Sequence, residues 1–163
     1  LRPSRGNKRR VGHTGDAGHV LHQLDVWRAW GQVVVGNDCP DRLTADSGHR
    51  VGYSPILVKK PEKMIITQQE NHTTTWEMIM PLNDDMILHV APASGGAVVT
   101  DHAKAFLVPK NTLVKLKAAV WHLAPLPATK DQVTVMIILP ECTYANDCPV
   151  VDLSPDEQFE IVG

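Results

Sequence analysis

Apolar and polar residues alternate in short runs along most of the chain. Such runs cover Ser54–Lys59, Met64–Gln69, Thr75–Met80, Met86–Ala91, Ala103–Val108, Thr112–Lys117 and Gln132–Leu139. Alternation with a period of two, carried by Val, Ile, Thr and Met, predicts half-buried β-strands. Pro61, Pro81-Leu82-Asn83-Asp84, Ser94-Gly95-Gly96 and Pro109-Lys110-Asn111 supply turns between them. Short strands with turn signals about every 8 to 12 residues predict an antiparallel sandwich or barrel, so the expected fold class is all-β. Helical spacing is found near the N-terminus, where Val20, Leu21, Leu24, Trp27 and Trp30 recur on one face. Asp16 suits the N-cap and Gly31 the C′ position, which predicts a short helix over Asp16–Trp30 and a strand over Gln32–Val35. A short helix is expected at Pro155–Phe159, and one more edge strand within Val150–Gly163.

The length of 163 residues fits a single domain with a proper core. Hydrophobic residues at 43% and charged residues at 21% describe a globular chain rather than a disordered one. A net charge of -2 gives no global attraction to nucleic acid or to an anionic membrane. No apolar run approaches the roughly 20 residues of a membrane span. Residues 1–15 hold Arg2, Arg5, Lys8, Arg9 and Arg10 and read as a basic tail, disordered or vector-derived, which leaves 16–163 as one domain. Cys39, Cys142 and Cys148 form no C-x-x-C pair and read as reduced thiols of a cytoplasmic protein. The polar stretch 36–52 is expected to be a long loop bordering a site, where Arg42, His49 and Arg50 either meet an anionic substrate or lie on the solvated surface.

The candidate chemistry lies in Gln69-Glu70-Asn71-His72-Thr73-Thr74-Thr75-Trp76-Glu77 and in Val120-Trp121-His122. Glu70 and His72 are two apart, so on a strand they share a face. In the next strand Trp76, Met78 and Met80 take one face, and Thr75, Glu77 and Ile79 the other. A glutamate among apolar strand residues is costly to bury unless it is paired or metal-bound. An inward Glu77 would meet Glu70, His72 and His122, and imidazole with carboxylate suits a divalent transition metal such as Zn, Mn, Ni or Fe. The alternative places Glu70 and His72 at a solvent-facing turn, with His122 capping the core beside Trp121. Lys115 and Lys117 share a strand face: turned inward they would pair with a substrate carboxylate, turned outward they guard an edge. Tyr144 is either a hydrogen-bond donor in a rim loop or part of a tight turn. His89 and His102 read as structural or exposed.

The spacing Glu70-x-His72-x4-Glu77 resembles the first cupin motif, with glutamate in place of its first histidine. A closer resemblance is to the ureidoglycolate lyase family of cupins. Trp27-Arg28-Ala29-Trp30-Gly31, Glu70-Asn71-His72 through Pro81, and Ala105-Phe106 through Val120-Trp121-His122 are similar to its three motifs. The resemblance covers roughly residues 24 to 153 and implies a jelly-roll-like antiparallel barrel that forms a homodimer. It also implies a C–N lyase that splits ureidoglycolate to glyoxylate and urea in the allantoin branch of purine catabolism. The departures are specific. The family's proline after the histidine is Thr73, and its glutamine is Glu77. Its Asn, Tyr, Arg and Gly are Lys115, Leu116, Ala118 and Ala119.

Three functions follow as expectations. The first is a lyase-type cupin acting on a small carboxylate-bearing substrate, with His72, His122, Glu70 and Glu77 as acid, base or metal ligands and Lys115, Lys117 and Tyr144 holding the substrate. The second is a non-catalytic cupin that binds a small ligand. The third is a metal-dependent isomerase or dioxygenase.

Overall fold

The computed structural model describes residues 8–14, 31–34 and 50–162. The first half of the chain supplies β1 (Arg9–Thr14), β2 (Gly31–Val34), β3 (Val51–Lys59), β4 (Ile65–Ile66), β5 (Gln68–Glu70), β6 (Glu77–Pro81) and β7 (Met86–Ala91). The second half supplies β8 (Lys104–Val108), β9 (Leu113–Leu116), β10 (Trp121–His122), β11 (Leu126–Pro127), β12 (Gln132–Pro140), the helical turn α1 (Thr143–Asn146), β13 (Val150–Asp152) and β14 (Phe159–Val162).

The strands make two sheets. The smaller runs β2-β9-β6-β12-β3 and is antiparallel throughout its described pairs. The larger runs β13-β5-β10-β7-β8-β1-β14-β4, with β11 also on β7. Its pairs are antiparallel except that β1 lies parallel to β8 and β14. One apolar cluster fills the space between the sheets. Ile79, Val114, Leu116, Val135 and Ile137 come from the smaller sheet, and Leu88, Val90, Phe106 and Val108 from the larger. A second cluster covers the far face of the larger sheet, with Ile87, Ala91, Ala105 and Trp121 under Leu153, Phe159 and Ile161. β7 contributes to both, which is why all six of its residues are buried and why its sequence is apolar without alternation. The fold is all-β, two curled sheets closed around one core. Among the described residues, no helix is long and apolar enough to cross a membrane.

The strand expectations held closely, with Met86–Ala91 matched residue for residue. Met64–Gln69 is divided at Thr67, because β4 pairs with β14 while β5 pairs with β10 and β13. Within the segment read as a basic tail, Arg9–Thr14 is a strand: Val11 is buried in the second cluster, and Arg9 reaches Asp101 at 2.8 Å. The expected helix over Asp16–Trp30 lies outside the described residues, as do Cys39, Arg42 and His49. Residues 155–157 form a turn rather than the start of a helix. Glu157 Oε2 accepts from Ser154 N and Oγ, and Phe159 is drawn into β14 and fully buried. The helical turn at Thr143–Asn146 was not expected.

Candidate metal centre

Two sheets and one connection bring the site together. Glu70 on β5 and His122 on β10 are direct cross-strand partners in the larger sheet. Glu77 opens β6 in the smaller sheet, in register with Leu116. His72 sits in the connection between them. Glu77 therefore takes the inward face with Ile79, as alternation requires, and is 4% exposed, while His72 and His122 are each 2% exposed. One donor atom from each of Glu70, His72, Glu77 and His122 lies within 4.8 Å of the others. The solvent-facing alternative is thereby excluded.

Both imidazoles point Nε2 at the same atom. His72 Nε2 lies 2.9 Å and His122 Nε2 2.7 Å from Glu77 Oε2. Their other nitrogens face backbone carbonyls, His72 Nδ1 at 2.7 Å from Asp147 O and His122 Nδ1 at 2.8 Å from Val120 O. A carbonyl only accepts, so each Nδ1 donates and carries a proton. This fixes both Nε2 atoms as the free positions, the tautomer a metal-binding histidine needs. With no cation, each Nε2 must also be protonated to meet a carboxylate oxygen. With a divalent ion, two imidazole lone pairs and the glutamate oxygens converge on one positive charge. The residues fit a borderline divalent transition metal.

The electrostatics agree. Burial alone would raise the Glu77 pKa. The charges and hydrogen bonds of His122 and His72 more than offset this and hold it down at about 2. Burial pulls His122 down, but the charge and hydrogen bond of Glu77, the Val120 carbonyl and the Glu70 charge leave it raised.

A second layer surrounds the ligands, and most of it comes from one short segment after α1. The Asp147 carboxylate takes the backbone N–H and hydroxyl of Thr73, Thr74 and Thr75 at 2.6–3.0 Å. Cys148 Sγ donates to Glu70 Oε2 at 3.3 Å, and Pro149 O accepts from Asn71 N at 3.3 Å. Burial and the charges of Glu70 and Glu77 push the Cys148 thiol up to about 12, so it is a donor here and no nucleophile. From the other side, Ala119 N–H bonds to His72 O at 2.6 Å. Ala119 does so at φ 65°, in the left-handed region, at the position where the resembled family has glycine.

Of the other expected site residues, Tyr144 is at the mouth. Its ring meets His72 edge-on at 6.2 Å, it is 55% exposed, and burial together with Glu77 and Glu70 raises its pKa, so the phenol stays protonated. Lys115 and Lys117 do not join the ligands. Lys115 is in register with Met78 rather than Glu77 and lies over the Trp76 ring at 5.1 Å on the outer face. Lys117, two residues on, is exposed. The alternation of Lys115 and Leu116 is thus reversed from what substrate binding needs: the inward residue is the apolar Leu116. His89 is structural, as expected: it is fully buried, with Gln69 Nε2 at 3.0 Å from its Nδ1. Sequence reasoning missed Asp147, although three successive threonines beside a histidine are donors in need of a common acceptor.

No family model matches the chain, and no curated protein matches it. Among solved structures, RmlC from Streptococcus suis in complex with dTDP-D-xylose is 10% identical, over 56% of this chain and 44% of that one, with a TM-score of 0.40. A point mutant of Bacillus subtilis oxalate decarboxylase is 14% identical, over 63% of this chain and 24% of that one, with a TM-score of 0.41. The match spans less than half of either of those chains. Both likenesses are slight in superposition. The all-β architecture rests on this chain's own strand order and register.

Proposed function

We propose that this chain is a metal-dependent cupin-type enzyme that acts on a small carboxylate-bearing substrate. Glu70, His72, Glu77 and His122 hold one divalent transition metal. The observation that carries this reading is the paired tautomer: two histidines whose Nδ1 protons are committed to carbonyls present Nε2 to a single buried carboxylate oxygen. When bound, the ion would supply a Lewis acid for the oxygens of a hydroxy or oxo acid. The protein's own part is positional. Asp147 and Val120 fix the imidazole planes, and Cys148 restrains the Glu70 carboxylate. Tyr144 Oη, kept protonated, is available to donate to an anionic oxygen of the substrate at the mouth.

The resemblance to ureidoglycolate lyases supports a C–N lyase as the first reaction to assay, in a cytoplasmic setting in keeping with the unpaired Cys142 and Cys148. The chain's Glu77 supports the metal more than the family's glutamine does, and its Leu116 and Ala118 support a polar hydroxy acid less. The test has two stages. Purified protein stripped with a chelator should take up one zinc, manganese or nickel ion per chain, and His122→Ala should abolish uptake. Urea release from ureidoglycolate should then depend on the ion. Failure to bind any of the three metals would overturn the reading.

A further inference from the structure

The interior face that carries Glu77 continues sideways into a cavity. The register pairs Leu116 with Glu77 across β9 and β6 and Leu139 with Gly52 across β12 and β3, and the next row runs Val114, Ile79, Ile137 and Ser54 across all four strands. Ile137, Leu139, Gly52 and Ser54 line one wall of a cavity of about 270 Å³, and Thr143 and Tyr144 of α1 line the other. Tyr144 is shared: it bounds the cavity and touches His72. None of the four candidate ligands lines the cavity, so Tyr144 is its link to the centre, and Ile137, Leu139, Pro140 and Ala145 make its apolar wall. Gly52 leaves room for a side chain at the β3 edge, since an added Cβ would meet only Leu139 O, at 3.8 Å.

A ligand held at the centre by oxygen atoms would reach this cavity past Tyr144. We infer that the substrate is an oxyacid with an apolar substituent, its oxygens at the metal and its aliphatic or small aromatic group between Ile137, Leu139, Gly52 and Ser54. The inference rests on the metal-centre reading and narrows its substrate class, away from the wholly polar ureidoglycolate. A volume of 270 Å³ is at the small end of ligand pockets, so the group is a few carbons in size. Burying each methylene there strengthens binding about three- to fourfold.

Alkyl hydroxamates of increasing chain length test this on cobalt(II)-loaded full-length protein, with the visible cobalt bands reporting chelation. Affinity should climb about three- to fourfold per methylene from acetohydroxamate and level off once the cavity is filled. Gly52→Val and, separately, Ser54→Leu should flatten that climb, because each fills the cavity from the β3 edge. Chelation with no dependence on chain length, or with an undiminished climb in both variants, would overturn the inference and leave the metal centre standing. Failure to take up cobalt would overturn the centre itself, and the inference with it.

Discussion

His72 gives its Nδ1 proton to the backbone carbonyl of Asp147, 75 residues downstream, at 2.7 Å. A candidate ligand is therefore oriented by a main-chain atom, which no side-chain substitution at 147 removes. The carboxylate of the same residue does separate work by gathering Thr73, Thr74 and Thr75.

Asp147→Ala should loosen that threonine turn while leaving the carbonyl in place. Its partly solvated hydrogen bonds suggest a loss of about 1–2 kcal/mol in a urea melt, since exposure weakens charge-assisted bonds. Metal affinity should fall as well, because the turn carries His72. A variant as stable as the parent would show the six contacts to be energetically idle.

Cys148→Ala should weaken metal binding about tenfold, the usual scale for removing a partner of a ligand. Cys148→Ser keeps a donor to Glu70 Oε2 and should recover most of the affinity. Competition titration with a chromophoric chelator reads both. Equal affinities for parent and alanine variant would remove Cys148 from the centre.

Metal uptake should release protons, because each Nε2 that faces Glu77 without a cation must shed one to coordinate. Calorimetry in buffers of different ionisation enthalpy measures the number. A saturating ion should also raise the melting temperature by about 5–10 °C at a hundredfold excess over Kd. Glu77→Gln, which restores the amide found in the resembled family, should abolish most of that rise. A rise as large as the parent's would mean that Glu77 is not a ligand.

The metal-free protein should be most stable near pH 6.5. The raised pKa of His122 contributes stability that is full below its ordinary 6.5 and is lost as pH climbs through the folded value. His89 works in the opposite sense. Burial, aided by the His122 charge, lowers it to about 3, so the unfolded chain binds a proton first and stability declines from pH 6.5 toward 3. Glu77, held at about 2 rather than 4.5, adds to the acid loss below pH 4.5. Chemical denaturation across pH 3 to 9, with His89→Gln as a second series, checks the shape. The variant should lose the slope between pH 6.5 and 4.5, and an unchanged slope would assign it elsewhere.

Ala119→Gly should stabilise the fold by about 1 kcal/mol, since a left-handed backbone strains any residue with a Cβ. Thermal unfolding reads this directly. A destabilised glycine variant would show that the alanine methyl packs where it stands.

The strands and the inward turn of Glu77 were legible because period-2 alternation is a local property. Glu70, His72 and Glu77 lie within eight residues of one another, and His122 belonged to a short motif with Trp121. The bracket at Asp147 was not legible. Its carbonyl has no side-chain signature, and its carboxylate acts across 72–74 residues. Ser154 and Glu157 show the converse error. The Glu157 carboxylate accepts from Ser154 N–H as at a helix start, yet the burial of Phe159 in a strand decides the local conformation. Lys115 and Lys117 were correctly placed on one face, but only the register with Met78 shows which face that is.

The order of residues also sets an order of events during synthesis. All four ligands emerge from the ribosome by residue 122, well before Asp147 and Cys148. A nascent chain of that length carries every metal-binding atom and none of the groups that aim His72 and restrain Glu70. In the proposed metal centre, the arrangement that aims His72 and restrains Glu70 can form only once the segment behind α1 has been made.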